Sequence, residues 1–227
     1  MNLGKVGVIV AARTLSSRLP GKALLPLQGM PMILFLLRRL RPLKTATTVL
    51  ATTTLAADDE MAAMVEAAGV PVFRGADADV VGRYVAAAAR FGFDTVARVT
   101  GDCPFVDAEL VERCLAQCTA HTTLDLATTK GRFPVGLDVE VYRAARMAEL
   151  DAGGQLSASE REHLTLYFYN HRETCVLHAI EPPTTWRSTA RHFTVDTRQD
   201  YDAARALAER FERPEFTIDA LLARAAA

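Results

Sequence analysis

Short apolar runs alternate with helix-length segments along the first half of the chain. Residues 6–12 are apolar or glycine throughout, the pattern of a strand covered on both faces. Residues 48–52, 70–73 and 95–100 read as three further strands. Between them lie helical patterns. Pro31 opens MILFLLRRL at the position where its missing N–H costs least. Asp58 or Asp59 starts an alanine-rich helix that stops at Gly69, residues 79–91 are helical, and Asp107 caps ELVERCLAQC. This alternation predicts an α/β domain with a parallel sheet and helices on both faces. In such sheets ligands bind beyond the carboxyl ends of the strands, so the loops after Val10, Thr52 and Thr100 are the places for a site.

The second half is less regular. Residues 124–129 and 137–142 look like strands joined through GRFPVG. Two overlapping capping boxes, Ser157 with Glu160 and Ser159 with Glu162, precede a helix over HLTLYFYNH. Residues 175–180 and 192–195 are expected to be strands, and residues 199–211 form the clearest late helix.

With 227 residues, half of them hydrophobic, the chain suits a single domain with a substantial core. The formal net charge of −1 gives no sign of a nucleic-acid partner. The N-terminal apolar run is too short for a membrane span and lacks a cleavage site, so a cytoplasmic protein is expected. Cys103, Cys114, Cys118 and Cys175 form no complete zinc pattern and read as small buried thiols.

The strongest chemical signal is the loop after the first strand, Ala11-Ala12-Arg13-Thr14-Leu15-Ser16-Ser17-Arg18-Leu19-Pro20-Gly21-Lys22. Three cations and three hydroxyls follow a buried strand directly, which is what a triphosphate needs: N–H and O–H donors for its oxygens and Arg or Lys for its charge. An ordinary solvated loop is the alternative on composition alone, and the segment is not a Walker A loop. A second signal is Arg98-Val-Thr-Gly-Asp102-Cys-Pro, where Asp102 follows a strand end and can project over the sheet. A third is Val195-Asp196-Thr197-Arg198-Gln199-Asp200; here Thr197 and Asp200 suit a helix cap and Asp196 sits one residue earlier.

Together, VIVAARTLSSRLPGKALLPLQGMPM, RVTGDCPFVD and the late V-D-T-x-x-D element resemble the cytidylyltransferase family, in order and over nearly the whole chain. That family includes synthetases of CMP-activated acidic sugars and a spore-coat polysaccharide branch. The resemblance implies a Rossmann-like nucleotidyltransferase domain with a mostly parallel central sheet and a small irregular subregion. One domain spans 1–227: a nucleotide-binding half over 1–122 and an acceptor-binding and dimerisation half over 123–227. It implies CTP as the nucleotide, Mg²⁺ as the cofactor, pyrophosphate release and a homodimer. It places the base near Ala11 and Ala12, the phosphates on Arg13 and Lys22, and the metal on Asp102 and Asp196. Ser16, Ser17, Arg18, Thr52 and Arg83 join the expected nucleotide contacts, with a solvated helix arginine the other reading of Arg83.

The acceptor is expected to be an acidic or modified sugar for surface polysaccharide; a phosphonate or polyol phosphate is the alternative. Asp138 and Glu140, two apart on one strand face, are candidate acceptor contacts, and a solvated strand face is the bland alternative. Glu162 and His163 match the spore-coat branch but are expected to be structural or to contact a second subunit. Leu164, Leu166, Tyr167, Phe168 and Tyr169 suggest either a dimer face or core. A glycosyltransferase would use an acidic pair such as Asp77-x-Asp79 or Asp138-x-Glu140, although Asp77-x-Asp79 also suits a helix cap. Asp102 and Asp196 should repel each other without a cation between them.

Overall fold

The computed structural model describes residues 2–121, 123–187 and 191–226. The expected boundary between halves, at residue 122, lies outside the described residues. The elements run β1 (Val6–Ala11), β2 (Pro26–Leu27), β3 (Met30–Pro31), α1 (Met32–Leu40), β4 (Thr47–Thr53), α2 (Asp59–Ala67), β5 (Val72–Gly75), α3 (Val80–Phe91), β6 (Thr95–Thr100) and α4 (Ala108–Thr119). The second half adds β7 (Leu126–Thr128), β8 (Glu140–Arg143), α5 (Ala144–Ala152), α6 (Ala158–Glu162), α7 (Leu166–Asn170), β9 (Leu177–Ala179), α8 (Arg198–Ala208) and α9 (Ile218–Ala226).

Seven strands form one sheet in the order β5-β4-β1-β6-β8-β7-β9. β5, β4, β1 and β6 are mutually parallel, and β8 is antiparallel to both of its neighbours. The expected α/β architecture with a mostly parallel sheet is the observed one. Strand alternation divides the core into two layers. Val8, Val10, Leu50, Ala97 and Val99 face α1, α2, α4 and the C-terminal helices, whereas Ile9, Val49, Ala51 and Val96 face α3, α5 and α7. The chain leaves β1 toward β4 but reaches β6 from the other side of the sheet. The strand order therefore reverses between β1 and β6, and a crevice opens beyond their carboxyl ends.

The second half departs from expectation in five places. Residues 192–195 form no strand; a single bridge joins Val135 to His192. The helix expected over residues 163–171 is broken, because His163 takes an extended ψ of 84° between α6 and α7. Only Ser157 with Glu160 closes a capping box; Glu162 ends α6 instead of capping it. Helices α5 and α9 were not anticipated. Leu164 and Phe168 are core residues of this chain, one of the two roles expected for that stretch. The Thr197–Asp200 cap forms as expected, with Asp200 N–H on Thr197 Oγ1 and Thr197 N–H on Asp200 Oδ2.

Candidate active site

A cleft of about 340 Å³ lies over the carboxyl ends of β1 and β6. Ala11, Ala12, Arg13, Ser16, Ser17, Arg18 and Lys22 line it from the first loop, with Thr100, Gly101 and Asp102 from the end of β6. Arg83 enters from the first turn of α3, and Asp196 from the segment before α8. Lys22 and Asp196, 174 positions apart, thus meet at one strand edge.

The first loop is folded back on itself. Thr14 C=O accepts N–H groups from Ser16 at 3.0 Å and Gly21 at 2.9 Å. Gly21 has φ +72°, the left-handed region a side chain disfavours, and that turn delivers Lys22 to the cleft. Gly101 is needed for a different reason: a Cβ there would lie 2.7 Å from Ala12 Cβ. Without it, the Gly101 N–H reaches Ala11 C=O at 2.8 Å, and the two loops close together.

Asp58 anchors the loop from below, a role the sequence pattern did not suggest. Its side chain makes no helix-cap bond. It accepts the Thr14 N–H at 2.6 Å, the Thr53 N–H at 3.3 Å and the Thr53 hydroxyl. Burial pushes the Asp58 carboxyl up, yet the Thr53 and Thr14 hydrogen bonds outweigh it, and the net shift is downward. Arg13 pairs with Asp77 at 2.9 Å.

The centre of the cleft is ionic. Lys22 Nζ donates to Asp102 Oδ2 at 3.1 Å, Asp196 Oδ1 at 3.0 Å and the Val195 carbonyl at 2.7 Å. Arg18 adds a contact to Asp196 Oδ1 at 2.9 Å. Burial raises the Asp102 carboxyl, but the Lys22 charge and the Thr100 hydroxyl bring it below its ordinary value. The expected repulsion between the two carboxylates is therefore offset within the chain: the lysine ammonium sits between them.

Other expected contacts fall elsewhere. Thr52 is fully buried and does not line the cleft, because β4 continues to Thr53 and Thr52 shares the strand face of Leu50. Asp138 accepts the Gly136 N–H at 2.9 Å, and burial raises its carboxyl. Glu140, 1% exposed, accepts Arg98, the Tyr169 hydroxyl at 2.7 Å, the Thr165 hydroxyl at 2.9 Å and Lys130 at 3.0 Å. Neither Asp138 nor Glu140 lines the cleft. The acidic pairs suited to a glycosyltransferase are engaged as well: Asp79 caps α3 through Gly82 N–H at 3.0 Å, and Asp77 holds Arg13.

Some cleft residues carry a role other than the one expected, or one the sequence pattern did not suggest. Arg98 lines the cleft, and so do Glu162 and His163, which were expected to be structural or to contact a second subunit. Arg98 stood within the quoted RVTGDCP segment, and its position two residues before Thr100 on the same strand face was the available signal. Burial raises the Cys103 and Cys114 thiols strongly and pushes Cys118 up to about 12, so none of these three is poised as a thiolate.

The cytidylyltransferase family model matches residues 7–217, which spans every element of this cleft. The chain belongs to the cytidylyltransferase family. It is accordingly a nucleotidyltransferase. The cytidylyltransferase is 31% identical to the spore coat polysaccharide biosynthesis protein SpsF of Bacillus subtilis, over 94% of this chain and 91% of that protein. Among solved structures it resembles a cytidylyltransferase from Leptospira borgpetersenii, with 30% identity, a TM-score of 0.89, and 96% and 92% of the two chains covered. It also shares its fold with a CMP:2-keto-3-deoxy-manno-octonic acid synthetase complexed with CTP, at 20% identity, a TM-score of 0.72, and 91% and 99% coverage. Among the described residues, no helix of the cytidylyltransferase is long and apolar enough to cross a membrane.

Proposed function

We propose that this cytidylyltransferase transfers CMP from CTP to a small acceptor with Mg²⁺ as cofactor, releasing pyrophosphate. The observation that carries the reading is the convergence of Lys22, Asp102 and Asp196 at the strand-order reversal. The similarity to a synthetase complexed with CTP supports the choice of nucleotide.

An in-line attack of an acceptor oxygen on the α-phosphorus needs little covalent help, so the chain's task is to position and to stabilise charge. Arg13, Arg18 and Lys22 hold the phosphates, and the donors around Ser16 and Ser17 bond their oxygens. Asp102 and Asp196 suit Mg²⁺: both are hard oxygen donors, and a cation already occupies the point between them. Asp102 and Asp196 would hold the ion, and phosphate oxygens and water would supply the remaining ligands Mg²⁺ takes. When bound, the ion offsets the charge that builds on the α-phosphate and the departing pyrophosphate.

The acceptor is an acidic or modified sugar for surface polysaccharide, a reading supported by the similarity to the SpsF protein. The test incubates the protein with each nucleoside triphosphate, Mg²⁺ and a panel of acidic sugars, phosphonates and polyol phosphates. Pyrophosphate release with CTP and one acceptor class, with a CMP-bearing product by mass spectrometry, is expected. Transfer of a sugar from a nucleotide sugar without pyrophosphate release would replace this reading with a glycosyltransferase.

A further inference from the structure

The Lys22 ammonium stands where the two carboxylates converge, and three oxygens from two distant segments surround it. Asp102 Oδ2 lies at 3.1 Å, Asp196 Oδ1 at 3.0 Å and the Val195 carbonyl at 2.7 Å. Two carboxylates and a main-chain carbonyl are the donor set a hard divalent cation takes. The two cations at this point differ in how they are held. The Lys22 side chain is 12% exposed, whereas that of Arg18 is 64% exposed. Arg18 therefore reads as a solvated neighbour and Lys22 as the built-in occupant.

We propose that Lys22 is a tethered placeholder in a three-oxygen cation site formed by Asp102, Asp196 and the Val195 carbonyl, and that a triphosphate draws it out to admit the divalent ion. The proposal rests on the nucleotidyl-transfer reading above and adds an order to it. An ammonium and a divalent ion cannot share one point, since like charges at contact distance repel strongly. The ion alone must displace Lys22 from three oxygens and leave its ammonium without a counter-charge. The triphosphate removes that penalty by offering Lys22 phosphate oxygens beside the first loop. Each ligand then strengthens the other by the same factor, as linkage requires.

The test uses Mn²⁺ as the probe, without nucleotide, on the full chain. Calorimetry and the electron paramagnetic resonance signal of free Mn²⁺ give its affinity for the wild type, Lys22→Met and Lys22→Gln, each first shown to be folded by circular dichroism. Removing the placeholder is expected to tighten Mn²⁺ binding roughly tenfold or more, within the usual range of such couplings. The gain is expected to vanish when Asp196→Asn is added. Unchanged affinity in both folded variants, or a gain that survives Asp196→Asn, overturns the proposal. A measurement on the wild type covers the case in which the variants do not fold. The Lys22 ammonium resonance is expected to move when α,β-methylene CTP and Mg²⁺ saturate the protein, and an unmoved resonance overturns the proposal. The two readings also fail separately. Tight Mn²⁺ binding by Lys22→Met with no CMP transfer by the wild type would sink the catalytic reading alone. CMP transfer with unchanged Mn²⁺ affinity would sink the placeholder alone.

Discussion

Replacing Glu140 by Gln tests whether the buried carboxylate beneath the cleft organises its wall. Glu140 lies directly across the β6–β8 pair from Arg98, and all four of its partners are donors: Arg98, Lys130, Tyr169 and Thr165. Gln keeps the shape but turns an NH₂ group toward one of those donors and strips Arg98 of its counter-charge. Lys130, with a half-exposed side chain, can turn to water; Arg98, mostly covered, cannot. Breaking a buried pair by removing one partner costs about 3–5 kcal/mol. In a chain of this size each kcal/mol moves the melting temperature by about 2–4 °C, so a fall of roughly 6–20 °C is expected. The assay is thermal unfolding at pH 7 by circular dichroism, repeated on Glu140→Leu with Arg98→Met. Removing both partners leaves no uncompensated charge there, and the double variant is expected to recover much of the loss. A Glu140→Gln midpoint within about 2 °C of the wild type would refute the reasoning, since that is less than one kcal/mol.

Other outcomes follow from the same contacts. Asp58→Ala leaves the Thr14 and Thr53 amides without their acceptor, which should cost about 1–3 kcal/mol in urea unfolding and weaken CTP binding by calorimetry. Asp102→Asn should lower turnover roughly a hundredfold, the scale of losing one group that stabilises developing charge. Its metal-free stability should not rise, because Asp102 is already paired with Lys22. Glu160 is held at about 2 by the Ser157 amide and hydroxyl and by Asn170, against an ordinary 4.5. Its folded value is the lower one, so its contribution is complete above pH 4.5 and is lost as the pH falls toward 2. Urea unfolding at pH 5 and pH 3 should show a drop that is smaller in Glu160→Gln.

The parts legible in the sequence share a physical cause. Strand β1 is covered on both faces and reads as a continuous apolar run, β4 and β6 carry shorter apolar stretches bounded by threonines, and the loops at their ends carry the chemistry. Lys22, Asp102 and Asp196 lie in segments dense with functional residue types, and the fold brings them together. The second half is harder because β7, β8 and β9 span only three or four residues each, too few for a period to register. Glu140 reads as a candidate acceptor contact until β8 is known to insert beside β6, opposite Arg98. Asp58 has the position and composition of a helix cap; only the tertiary approach of Thr14 gives its carboxylate another use. The break between α6 and α7 is a tertiary choice as well. His163 leaves the helix after Glu162, both residues line the cleft, and Thr165 turns to Glu140.

The central claim is that this cleft receives CTP through the cations of the first loop and the Asp102–Asp196 pair. Calorimetry with CTP, UTP, dTTP and ATP in the presence of Mg²⁺ tests it most directly, with Lys22→Met as the control. The account predicts tightest binding for CTP and loss of that binding in the variant. Equal affinity for ATP, or CTP binding untouched by Lys22→Met, would contradict it.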